Sequence, residues 1–422
     1  VSDKTPENAA RPRVAFVLPH SCEHAYPAFF EQGKTPEDFA HEIMAKERSF
    51  AAWFARAAAD AGFEPSVYYL SRSLSQSRTL RHEFGYRLVL VPVTVFGKAL
   101  GGEYSFPLLR ALLRERPDLV HIHGINYNDR LPCMYDLLAL ALRRKGIPFV
   151  GHYHGSGAAR QRGFRRSVKR RALEGADRLV ACNLAEVRRL CDPSFPGYYG
   201  FRGISPQRVE KLHNVVNSEL FGPADKRESR ARIGLDPRVT VLLSVGRMVG
   251  LKRFGDCIEM TARLGATTTL VLVGDGPCRI GLESRARERG LADRVIFPGS
   301  VPPSELRGYY AAADALVLAS ESEGLPIVLQ EALLCRTPVV ATDLEGVSEL
   351  LSNGVGRLVQ VGDIGGFVEA VHDVVSGAFV PDWRLVAERL SEHSLASVTQ
   401  HLRKLYWGIL RERGWLEGQA GR

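Results

Sequence analysis

Short apolar runs of strand length recur along this chain, and they do not alternate apolar with polar residues. The first series is Val14–Leu18, Val67–Leu70, Arg87–Val91, 117–123, 148–155, Arg178–Ala181 and Arg208–Leu212. A strand lacking period-two alternation buries both faces, so these runs predict a parallel sheet with helices on each side. Helical spacing is expected over Phe39–Gly62, Leu108–Arg114 and Leu137–Lys145. Asn214-Val-Val-Asn217 then leads into the polar stretch Gly222–Glu228, which reads as a hinge. Beyond it the alternation restarts with Thr240–Val245, Thr269–Val273, Arg294–Phe297, Ala315–Leu318 and Pro338–Ala341. A helix over Leu385–Leu410 closes the chain with no strand after it. The fold class is α/β, two doubly wound parallel-sheet domains, with the first covering 1–217 and the second 218–394.

Composition narrows the class. At 422 residues, with 45% hydrophobic and 24% charged content, the chain has enough apolar mass for two cores. The apolar run near Leu88–Phe96 is broken by Pro92 and Thr94 and is too short to cross a bilayer. The first residues lack the apolar core of a signal peptide and read as a loose tail. Seven scattered cysteines without a C-x-x-C pair favour reduced thiols and a cytoplasmic location. A net charge of +9 points to anionic partners.

The stretch Ser320–Ala332 organises the second domain. Ala315–Leu318 is a strand, Ile327–Cys335 a buried helix, and Pro326 suits its first turn. Glu323 therefore falls in the strand-to-helix turn and Glu331 within the helix, on either side of amide groups that favour an anion. Two carboxylates around a phosphate site suit a phosphate-linked ligand carrying hydroxyls; solvated surface glutamates are the plain alternative. Val245-Gly246-Arg247 with Lys252-Arg253 places cations after another strand, as a diphosphate requires. Val273-Gly274-Asp275-Gly276-Pro277 ends a third strand, and its glycines are expected to let a ligand approach the backbone.

In the first domain His121, His123, His152 and His154 fall at two strand ends, where ligands bind in such sheets. His154, followed by Gly155-Ser156-Gly157, is the preferred functional candidate; a structural role is the alternative for each. Pro19-His20-Ser21-Cys22-Glu23-His24 offers metal-ligating residue types but no second ligand set, so no metal site is assigned. Arg160–Arg171 carries seven cations in twelve residues. It reads either as a solvated helix face or as a surface for anionic lipid head groups or an anionic acceptor. Nucleic acid is disfavoured, because no aromatic stacking pattern accompanies the charge.

Over residues 239–363 above all, the sequence resembles the retaining glycosyltransferases of GT-B fold, family 4. The resemblance is carried by Gly246-Arg247 with Lys252, Gly274-Asp275-Gly276-Pro277, Glu323-Gly324-Leu325 through Glu331-Ala332, and Thr342–Glu349. It implies two Rossmann-like domains facing across a cleft, the first binding acceptor and completed by a last helix (395–422), the second binding a nucleoside-diphosphate sugar. By the same resemblance Arg247 and Lys252 neutralise the donor diphosphate, Glu323 holds the sugar, Glu331 the ribose, and His154 faces the sugar. Retention follows if the departing phosphate takes the acceptor's proton, with no metal and no cofactor beyond the donor. The family's Gly-Gly loop after the first strand is replaced here by Pro19–His24, its later Gly-Gly by Glu345-Gly346, and its Asn-Gly-Val-Asp by Asn214–Asn217. The expected acceptor is a sugar or lipid-linked hydroxyl, and the expected location is cytoplasmic, with peripheral docking on the inner membrane face as one option. Two other readings compete: an epimerase or hydrolase of the same fold, and a non-catalytic nucleotide-sugar binder. The intact set Arg247, Lys252, Glu323 and Glu331 argues against the latter.

Overall fold

Successive residues of the first strand enter opposite cores. Val14 and Phe16 pack into one, Ala15 and Val17 into the other, and all four are buried. The same division recurs in the second sheet, where Val241, Leu243 and Val245 face one side and Leu242 the other. Covering both faces requires helices on both sides, and strands joined across helices must run parallel. The computed structural model describes residues 11–25, 27–44, 49–82, 84–97, 102–124, 133–154, 164–195, 198–201 and 204–415.

The chain forms two compact units, one of Val1–Val215 with Leu395–Arg422 and one of Val216–Ser394. The strands of the first are β1 (Arg13–Ser21), β2 (Glu64–Ser71), β3 (Arg78–Arg81), β4 (Arg87–Pro92), β5 (Val95–Gly97), β6 (Gly102–Tyr104), β7 (Leu119–His123), β8 (Phe149–Tyr153), β9 (Arg178–Ala181) and β10 (Val209–Lys211). Eight of them form one sheet in the order β10-β9-β8-β7-β1-β2-β4-β3. Only β3 runs antiparallel in it, and β5 pairs with β6 as a small hairpin. The second unit contains β11 (Thr240–Val245), β12 (Thr268–Val273), β13 (Val295–Gly299), β14 (Ala315–Leu318), β15 (Val339–Thr342) and β16 (Arg357–Val359). These form one parallel sheet in the order β13-β12-β11-β14-β15-β16. Strand order reverses at β1 in the first sheet and at β11 in the second. Such switch points open a crevice at the carboxyl ends of the strands.

Several expected elements are redrawn. The helix expected over Leu385–Leu410 is two helices, Trp383–Ser391 in the second unit and Leu395–Glu412 in the first. The His393 carbonyl, which a continuous helix would use internally, accepts from the Val216 N–H at 3.0 Å. The segment expected as one helix over Phe39–Gly62 is also interrupted. Pro36–Phe39 runs into a π-turn at Ala40–Met44, and a new helix Phe50–Asp60 starts at Ser49, whose hydroxyl accepts from the Ala51 N–H. The stretch read as a hinge holds the start of helix Lys226–Arg232, N-capped by Asp225. Pro326 stands at the N-cap position of helix Ile327–Leu334, one residue before the expected place. Among the described residues no helix is long and apolar enough to cross a membrane.

Candidate functional site

At the switch point of the second sheet, the loop after β11 carries Gly246, Arg247 and Lys252, and the turn after β14 carries Glu323. The structure brings the last two into contact. The Lys252 ammonium donates to Glu323 Oε1 at 2.5 Å, with both side chains largely covered. A backbone bond from the Glu321 N–H to the Leu251 carbonyl, 2.9 Å, ties the two loops together beneath them. Arg247, earlier in the same loop as Lys252, is exposed and makes no ion pair among the described residues. Gly324 is buried, Leu325 packs partly into the core, and Pro326 gives the following helix no side-chain cap. First-turn N–H groups left without such a cap favour an anion.

Glu331 lies further along that helix and accepts from the Tyr310 hydroxyl at 2.6 Å. Burial pushes its pKa up to about 7, with the Tyr310 bond acting against the rise. Close by in sequence, both ends of the Gln330 amide and the Ser320 hydroxyl are buried without a hydrogen-bond partner among the described residues. Each such group costs roughly 1–3 kcal/mol unless water or a ligand satisfies it. These two residues were absent from the expected site. Nothing in their spacing marks them, because their distinction is burial without a partner.

Gly274 and Gly276 play a different part from the one expected. A Cβ on Gly274 would stand 1.9 Å from the Gly246 carbonyl oxygen, and one on Gly276 2.6 Å from that of Met248. Both adopt positive φ, 133° and 154°. The neighbouring loop, rather than a ligand, occupies the space that the missing side chains leave. Met248 N–H donates to the Asp275 carbonyl at 2.8 Å and Cys278 N–H to the Met248 carbonyl at 3.0 Å, so the loops after β11 and β12 are one laced surface. The Asp275 carboxylate is engaged by the Gly276 N–H and by Arg279.

In the first unit the exits of β1, β2 and β6 share a carboxylate network. Glu103 accepts from the Ser21 N–H and hydroxyl, each at 2.6 Å, and from Arg72 at 2.5 Å; His20 lies 3.9 Å away. Glu23 accepts from the Ser71 and Ser73 hydroxyls and the Arg72 N–H. These bonds hold its pKa below the usual carboxylate range although burial opposes them. The stretch Pro19–His24 is thus a strand end and a short helix held by hydrogen bonds; the side chain of His24 lies outside the described ones. Glu103, in a Gly-rich stretch, gave no sign of this role.

The four histidines form a ladder on one face of β7 and β8. His121 Nδ1 meets the Tyr406 hydroxyl at 2.5 Å, His121 Nε2 meets His152 Nδ1 at 3.0 Å, and His123 Nδ1 meets His154 Nε2 at 2.9 Å. Burial lowers all four, His121 to about 3 and His154 to about 4, so the rings are neutral at physiological pH. His154, the expected functional residue, is half-buried at the end of β8; Gly155–Gly157 lie outside the described residues.

Within the cationic stretch 160–171, residues 160–163 also lie outside the described ones. The remainder begins helix Phe164–Gly175, and one of its cations is not a surface group. Lys169 is 3% exposed and pairs with buried Asp136 at 2.8 Å. Arg166, Arg170 and Arg171 are exposed.

The family model "Glycosyl transferases group 1" matches residues 225–384, and "Glycosyltransferase Family 4" matches 50–220. This chain belongs to the GT-B group 1 glycosyltransferases. It is 33% identical over 267 residues to the D-inositol 3-phosphate glycosyltransferase of Frankia alni, covering 57% of this chain and 63% of that protein. The chain spans about half to under two-thirds of the length of the curated relatives it matches. Sucrose-phosphate synthase from Thermosynechococcus elongatus superimposes with a TM-score of 0.72 at 18% identity, covering 95% of this chain and all of that one. HepE from Anabaena, solved in complex with UDP and glucose, gives a TM-score of 0.63 at 18% identity, over 97% of this chain and all of that one. In this GT-B member the group 1 match contains every residue from Gly246 to Glu331 discussed above.

Proposed function

We propose that the chain is a retaining glycosyltransferase, moving a sugar from a nucleoside-diphosphate sugar to an acceptor hydroxyl. The observation that carries this reading is the Lys252–Glu323 ion pair, set at the second sheet's switch point beside exposed Arg247 and the uncapped start of helix Ile327–Leu334. A cation and a carboxylate at one spot suit a ligand offering phosphate oxygens and sugar hydroxyls together. When the bond from the anomeric carbon to the β-phosphate oxygen breaks, negative charge gathers on the diphosphate. Arg247, Lys252 and the helix amides stabilise that charge, so the transfer runs without a metal. The acceptor oxygen bonds to the anomeric carbon, and its proton passes to the departing phosphate on the same face. Glu323 holds the sugar hydroxyls, Glu331 the ribose, and His154 in the first unit is assigned to the transferring sugar. Solved relatives bound to UDP with glucose and to ADP with acarbose support the donor class.

A thermal-shift screen of UDP, GDP, ADP and dTDP tests the donor site: saturation to 100 times Kd adds about 2.7 kcal/mol of stability. No shift with any of the four overturns the reading. Incubating the responding sugar nucleotide with EDTA tests the chemistry, and loss of activity restored by Mg²⁺ refutes metal independence. Release of free sugar or of an epimer without acceptor would put the hydrolase or epimerase reading first. For the acceptor we propose a lipid-linked or anionic hydroxyl, with exposed Arg166, Arg170 and Arg171 on the membrane side. Sedimentation with anionic liposomes that shows no dependence on salt removes the lipid part.

A further inference from the structure

We infer that His121, His123 and His152 form a binding site for one first-row transition-metal ion of the Zn²⁺ class, buried in the first unit. One ring nitrogen from each of the three lies within 4.8 Å of the other two. Two of them, His121 Nε2 and His152 Nδ1, stand 3.0 Å apart. Two imidazoles bound to one tetrahedral ion at about 2.05 Å place their nitrogens about 3.3 Å apart, so this pair needs little movement to share an ion, and the His123 ring closes on it from within 4.8 Å. The outer nitrogens of two rings are already held in the way that orients metal-bound histidines. His121 Nδ1 is fixed by the Tyr406 hydroxyl and His123 Nδ1 by His154.

A second observation points to a ligand. His123 Nε2, opposite the Nδ1 that His154 holds, is buried and has no hydrogen-bond partner among the described residues, in a side chain 2% exposed. Buried imidazole nitrogens in an apolar pocket require a partner, and this pocket is closed by aromatic rings. Phe54 lies 5.3 Å from His123 and 5.4 Å from His152, and Phe16 lies 5.4 Å from His121. A carboxylate-loving cation such as Ca²⁺ or Mg²⁺ is excluded, because the donor set is nitrogen only. Half-buried His154, stacked on His152 at 4.0 Å, marks the open end of the ladder.

The test is titration of EDTA-treated, dialysed protein with Co²⁺, followed by visible absorption, with Zn²⁺ competition and a melting curve for each state. The expected result is one equivalent bound, intense bands of a tetrahedral or five-coordinate site displaced by Zn²⁺, and a higher melting temperature with either ion. His123→Gln and His152→Gln should each lower Co²⁺ affinity at least about 10- to 100-fold, the loss usual for disturbing a metal site. Absence of any Co²⁺ band in the wild type, or bands unchanged in both folded variants, overturns the site. If either variant does not fold, X-ray absorption of Zn²⁺-loaded wild type decides. Three imidazoles at about 2.0 Å support the site, and sulfur at about 2.3 Å places the ion on cysteine and refutes it.

Discussion

Glu331 offers the sharpest test of the donor assignment. Its carboxyl is held near pKa 7 by burial, and Tyr310 occupies one oxygen. A carboxylate that accepts two ribose hydroxyls must be ionised, so donor affinity should climb with pH through neutrality. With a pKa of about 7, roughly a tenth of the molecules carry the charge at pH 6 and nine-tenths at pH 8, so affinity should rise about tenfold between them. The ligand should be the intact sugar nucleotide, because its diphosphate does not titrate in this range. Calorimetry in matched ionic strength at half-unit steps measures the profile for wild type and Glu331→Gln. The glutamine should bind with low, flat affinity. Stability carries the opposite sign. A carboxyl whose pKa is raised in the folded state contributes fully below its unfolded value near 4.5, and that contribution is lost as pH rises to about 7. Glu331→Gln should therefore gain on wild type at pH 8 by up to about 3 kcal/mol in a urea melt. A flat binding profile in the wild type, or one that persists in the glutamine variant, refutes the ribose assignment.

Glu323→Gln should tighten bare nucleoside-diphosphate binding about two- to fivefold, because Lys252 is released from a partly exposed pair worth up to about 1 kcal/mol. The same variant should lower kcat, and weakened diphosphate binding would contradict the pairing. Arg247→Ala should weaken diphosphate binding about 10-fold or more without changing the melting curve, and Lys252→Ala should weaken it as much with a small loss of stability as Glu323 loses its partner, as calorimetry would show. Gly274→Ala should destabilise the second unit by more than about 2 kcal/mol, since its Cβ meets the Gly246 carbonyl. An unchanged thermal melt would refute that packing. Lys169→Met leaves Asp136 buried and unpaired and should cost about 3–5 kcal/mol, measured by urea unfolding, with Asp136→Leu added in the double variant restoring much of it.

The parallel sheets were legible because their strands bury both faces, and that condition leaves a continuous apolar run at every β-strand of the two sheets' centres. The interruptions were not. Ser391–Ser394 contains neither Gly nor Pro, so no local signal marks the break, where the His393 carbonyl pairs with Val216, 177 positions earlier in the chain. That Gly246, Arg247, Lys252 and Glu323 fall at neighbouring strand ends, with Glu331 on the helix that follows, was readable because the chain returns to adjacent strands by simple alternation. Their mutual state was hidden: that Lys252 meets Glu323, and that Gly274 accommodates Gly246, depends on loop geometry. Glu103 and Gln330 were invisible for the same reason. A lone polar residue acquires meaning only from what surrounds it. The histidine pairs were visible as H-x-H twice, but their convergence needed the β7–β8 register that sets His123 against His152.

The contact between His121 and Tyr406 joins residues 285 positions apart. Between them in the chain lies the whole of the second unit. During synthesis that unit is therefore continuous and can finish folding while the first sheet still lacks the helix that covers one of its faces. Phe63, Ala57 and Phe54, which that helix helps to bury, must wait for residues 395–412 to leave the ribosome. The first unit can be completed only after the whole sequence of the second has been made. A chain truncated after Ser394 would keep every residue of the second unit but leave one apolar face of the first sheet without the helix that covers it.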